Sequence, residues 1–114
     1  MSDVVEAEAR WLAELAARER ARFLAHLAHR LTVAQRCLVY CDASAAERVE
    51  QLRQVNEVQH RVLDYLQHLL SGNEDTQWTR SVAAYVLMAA DEEVRALCLQ
   101  SWEDCKRYSR NLHA

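Results

Sequence analysis

The stretch "EVQHRVLDYLQHLL", residues 57–70, carries the chain's most chemical-looking spacing. Glu57, His60, Asp64 and His68 recur at three- and four-residue steps, which on a helix places two imidazoles and two carboxylates where a divalent metal can be bound. Di-iron bundles need two inward Glu-x-x-His pairs and two further Glu, whereas this stretch offers a single pair. On a helical wheel the apolar residues from Val49 to Leu70 fill an arc of roughly 200°, and Arg53, Glu57, His60, Arg61, Asp64 and His68 take the opposite arc. The acidic and imidazole groups are therefore expected on a solvated face. A metal- or cofactor-binding bundle using Glu57/His60/His68, or His26/His29 at i, i+3, is the alternative reading. Arg22 and Arg30 lie close to the His26/His29 pair and repel a cation.

Cys37, Cys41, Cys98 and Cys105 stand in pairs at i, i+4 and i, i+7 with no C-x-x-C. They are expected to be free thiols packed in the core, where Cys behaves as a small hydrophobe. No Cys or Ser has a His and a carboxylate at a local motif spacing, and no Gly-rich phosphate loop occurs. The expectation is a protein that is not an enzyme, with no catalytic residues, no metal and no cofactor.

The elements that position these groups follow from composition. One Gly and no Pro in 114 residues leave little material for tight hairpins, so the class is all-α. Val5, Leu12, Ala16, Phe23, Leu27, Leu31, Ala34, Leu38 and Cys41 form one stripe at helical steps. That predicts a first helix of about 58 Å at 1.5 Å per residue, with Thr32-x-x-Gln35 as a possible capping-box break. Ser44-x-x-Glu47 starts a second helix over 45–71, ended by Gly72, the residue able to take a left-handed turn. After "SGNEDTQW", with Asp75 or Thr76 as cap, a third helix runs from 76 to about 111 unless Asp91-Glu92-Glu93 divides it. The expected fold is a single-domain antiparallel bundle of three long helices, or four or five if those breaks are real, completed by homodimerisation.

The formal net charge is -3, and thirteen of the fourteen basic residues are Arg. "LTVAQRCLVYCDASAAERVEQL" has a rough helix-turn-helix cadence, yet Glu47 and Glu50 would stand where phosphates lie, so no direct nucleic-acid partner is expected. No apolar run approaches the roughly 20 residues that span a bilayer. No membrane partner is expected, and the acidic amino terminus, unlike a secretory signal, points to the cytoplasm.

More apolar face is present than one small bundle needs. "VAAYVLMAA", residues 82–90, is apolar all round, which suggests a second copy covering Val82, Tyr85, Val86, Met88 and Ala89. Val4, Trp11, Leu15, Val33 and Tyr40 fall off the main stripe of the first helix and form a candidate partner-binding patch. Trp102 and Tyr108 lie nearer the inner face of their helix, and Trp78 is placed to cap the bundle's end.

The long helix "VEAEARWLAELAARERARFLAHLAHRL" and the dimer-like "VAAYVLMAA", in a small Arg/Ala/Leu-rich chain, resemble the small bacterial antiactivators of LuxR-type quorum-sensing receptors. The resemblance implies a homodimer that binds the receptor's ligand-binding domain and interrupts its dimerisation or DNA binding, a role in transcription regulation.

Overall fold

The computed structural model describes residues 3–40, 44–73, 75 and 77–112, with side chains through Ser109. It contains α1 (Asp3–Glu14), α2 (Ala17–Val39), α3 (Ala45–Leu70), α4 (Gln77–Leu87) and α5 (Glu92–Leu112), and no strand among the described residues. The expected first and third helices are each divided in two. The second division falls at Asp91, where a carboxylate oxygen accepts the Val94 N–H at 3.1 Å and caps α5. The first falls at Leu15–Ala16 rather than at Thr32. Thr32 is inside α2, where its hydroxyl donates to the Ala28 carbonyl and accepts the side-chain amide of Gln59 in α3 at 2.6 Å. That contact uses the group a capping box would need.

Nothing in the sequence marks the Leu15–Ala16 break, because no side chain caps α2 there. Arg20 supplies the compensation. Its guanidinium, buried at 7% exposure, donates to the carbonyls of Leu12, Ala13 and Leu15 at 3.1, 2.9 and 2.9 Å. These carbonyls lie at the α1 terminus, where backbone donors run short, and the Leu12 carbonyl also accepts the Leu15 N–H at 3.3 Å. The same group reaches the Tyr65 hydroxyl at 3.4 Å, tying the elbow to α3.

α3 begins as the sequence predicts, with the Ser44 hydroxyl accepting the Glu47 N–H at 3.2 Å. It ends at Gly72 with φ +90°, where the Asn73 N–H closes on the His68 carbonyl at 3.0 Å. Asp75 accepts the Gln77 N–H at 3.0 Å ahead of α4, while Thr76 lies outside the described residues.

α2 and α3 form an antiparallel hairpin, α1 lies on α4, and α5 packs on α2. A single cluster of buried side chains draws on all five helices, with Leu12, Leu27, Val62, Val86 and Trp102 wholly enclosed. The all-round apolarity of residues 82–90 has an internal explanation: α4 is wedged among α1, α3 and α5. Val82, Val86 and Ala89 point into this core at 1, 0 and 9% exposure, so in this fold they are covered without a second chain.

Candidate protein-binding surface

α3 is 26 residues long, and one side of it meets no other helix among the described residues. Val55, Val58, Val62, Tyr65 and Leu69 take the inward positions. Val49, Asn56, Leu63 and Leu70 repeat at seven-residue steps on the outside, where Val49, Leu63 and Leu70 are 69, 46 and 72% exposed. Seven residues is nearly two turns, so these side chains stand in one row, the arrangement by which a second helix is engaged. Beside the row, Leu52 and Val49 of α3 meet Thr32, Gln35 and Val39 of α2 in a groove of about 530 Å³. Val39 and Tyr40 at the end of α2 are 57 and 87% exposed.

Arg53 forms the wall between this groove and a second one, of about 390 Å³, lined by Glu50, Glu57, Tyr85, Met88 and Ala90. Its guanidinium holds Glu50 at 2.7 Å and Glu57 at 3.1 Å. The hydrogen bond from Arg53 keeps the Glu50 carboxyl down to about 2, and the Arg53 pKa is raised in turn. The rim thus keeps fixed charges around apolar floors. Arg61 lies over the Tyr85 ring at 4.7 Å and orients it beside the second groove.

The expected partner-binding patch divides. Val4, Val33 and Tyr40 are exposed at 57, 39 and 87%. Trp11 and Leu15 are instead half-buried against the core, which corrects their placement as exposed anchors. Trp11 meets Phe23 edge-on at 5.0 Å, and Phe23 meets Trp102 at 4.9 Å. Of the expected dimer interface, Tyr85 is half-buried and Met88 is 58% exposed, and these two remain at the surface. Tyr108 departs from its expected core position: it is 53% exposed and stacks on His26 at 4.9 Å. Trp78 stacks between Tyr65 and His68 of α3 at 5.8 and 4.5 Å.

The histidines are apart in use. His29 and His60 are exposed, His68 lies 3.9 Å from Asp64 beneath Trp78, and Glu57 is paired with Arg53. Among the described residues no three His, Cys, Asp or Glu side chains gather as metal ligands. Cys98 and Cys105 are buried free thiols, Cys37 is exposed, and Cys41 lies outside the described residues.

The seven-residue row is legible in the sequence through its spacing, but Val49, Leu63 and Leu70 merge there with the inward arc because all are apolar. No helix among the described residues is long and apolar enough to cross a membrane. Comparison with known proteins finds no matching family, no matching curated protein and no matching solved structure. Among the described residues, fold and surface together define an all-helical arrangement of five helices with an unpartnered face on α3.

Proposed function

We propose that this protein is a non-enzymatic, cytoplasmic regulator that acts by occupying a protein partner's surface. The observation that carries the reading is the exposed row Val49–Asn56–Leu63–Leu70 beside the Val39 groove. An apolar row at helical repeat, with one polar member, suits capture of an amphipathic helix from the partner. Tyr40, which follows Val39 in the chain and is 87% exposed, supplies an aromatic anchor. A second copy of the chain is assigned to the neighbouring groove through Tyr85 and Met88, which makes the working unit a homodimer. The resemblance to LuxR-type antiactivators names the partner class to try first: the ligand-binding domain of such a receptor.

The test combines light scattering with gel filtration of the chain mixed with such receptor domains. A stable mixed complex is expected, lost in Val49→Glu and Leu63→Glu with helicity unchanged. Met88→Glu is expected to halve the mass of the free protein. Capture that is indifferent to both α3 substitutions would remove the assigned surface.

A further inference from the structure

The largest of the described cavities lies away from this surface, between α2 and the end of α5. It holds about 600 Å³, against 530 Å³ or less elsewhere. Phe23 and Cys105 form its apolar floor, with the Trp102 ring packed against Phe23 behind it. Arg22, His26, Tyr108 and Ser109 bring polar groups to its walls, and Glu19 stands on the same rim. A concave apolar site with a few convergent polar groups, in this size range, is the usual form of a small-molecule pocket.

The polar groups specify the ligand's charge. Burial, with Arg30 and His29 adding to it, holds His26 below its ordinary value and favours the uncharged ring. Burial pushes the Cys105 thiol up to about 12, which keeps it an uncharged part of the floor. Arg22 is then the cation of the lining, exposed and without an ion-pair partner among the described residues. One guanidinium matches one carboxylate in a two-pronged hydrogen bond, while the apolar floor of Phe23 and Cys105 calls for a tail that inorganic phosphate lacks. We propose that this cavity binds an apolar monocarboxylate, with its carboxylate on Arg22 and its tail on Phe23 and Cys105. The site is separate from the α3 surface and stands independently of the protein-binding role.

Sodium octanoate titrated into the full chain tests this by calorimetry and by the fluorescence of the tryptophans behind Phe23. One saturable site per chain is expected, with octan-1-ol and inorganic phosphate each weaker by about tenfold or more. Arg22→Gln, a change at an exposed position, is expected to weaken octanoate by about tenfold with helicity intact. Ala25→Phe, which fills the cavity from its rim, is expected to abolish binding. Octanol binding as tightly as octanoate, phosphate binding equally well, no saturable octanoate binding, or an Arg22→Gln affinity within about twofold of the parent would each overturn the proposal.

Discussion

Lys106 of α5 closes on Glu8 of α1, its Nζ 2.9 Å from Oε1 and 2.8 Å from Oε2. Trp102 donates its indole N–H to the same carboxylate at 2.8 Å, and the ammonium lies 5.1 Å from the centre of the Trp11 ring. The two charged side chains are only 10 and 16% exposed. Desolvating such a pair offsets much of its attraction, so its net worth is small, whereas stripping away one member leaves a buried charge unanswered. Glu8→Gln and Lys106→Met are each expected to cost about 3–5 kcal/mol in urea unfolding, and the double variant much less than their sum. Strictly additive losses across that cycle would show that the two groups are not coupled.

Arg20 replaces a helix cap with a side chain from the following helix. Arg20→Ala is expected to cost about 2–3 kcal/mol, since carbonyls at the α1 terminus lose a charged donor in a buried setting. Arg20→Lys is expected to recover less than half of that, because an ammonium cannot reach three carbonyls from one planar fork. Hydrogen exchange over residues 12–20 is the direct readout. Unchanged protection there in Arg20→Ala would mean that the elbow is held by packing alone.

Burial raises the Cys98 and Cys105 thiols from near 9 to about 12. A folded state that prefers the neutral thiol keeps its full stability below pH 9 and loses it as pH climbs from there toward 12. Thermal melts between pH 8 and 11 are expected to fall more steeply for the parent than for a Cys98→Ala/Cys105→Ala variant. At pH 8, mapping of iodoacetamide adducts is expected to find Cys37 labelled long before Cys98 or Cys105. Equal labelling of all three would contradict the burial of Cys98 and Cys105.

Two caps divide the labour differently. Ser44 accepts one N–H, so Ser44→Ala is expected to cost about 1 kcal/mol. Asp91 caps α5 and also accepts from the Gln51 side-chain amide of α3 at 3.3 Å, joining two helices. Asp91→Ala is therefore expected to cost more than Ser44→Ala, about 2 kcal/mol. Chemical denaturation of both variants ranks them, and the reverse order would sink the joint role.

The sequence announces the breaks that carry their own chemistry. Ser44, Gly72 and Asp91 each use a side chain or a backbone freedom readable from residue type, and each ends or starts a helix where expected. The elbow at Leu15–Ala16 could not be read, because "AELAARER" favours helix throughout and the compensating group, Arg20, acts through tertiary contact. Thr32 misled for a related reason: its hydroxyl serves Gln59 across the hairpin, and local spacing alone does not reveal such a partner. At the surface, Val33 and Tyr40 were legible as off-stripe residues. Val82 and Val86 were not, since apolarity on all sides looks the same whether neighbouring helices or another chain provide the cover.

Lys106 is the one lysine in the sequence, and its ammonium is shut between helices. Reagents that acylate side-chain amines thus meet a single target, closed while α1 and α5 stay together. Its acylation rate becomes a built-in clock for the parting of those two helices, readable from the mass of the peptide that carries it.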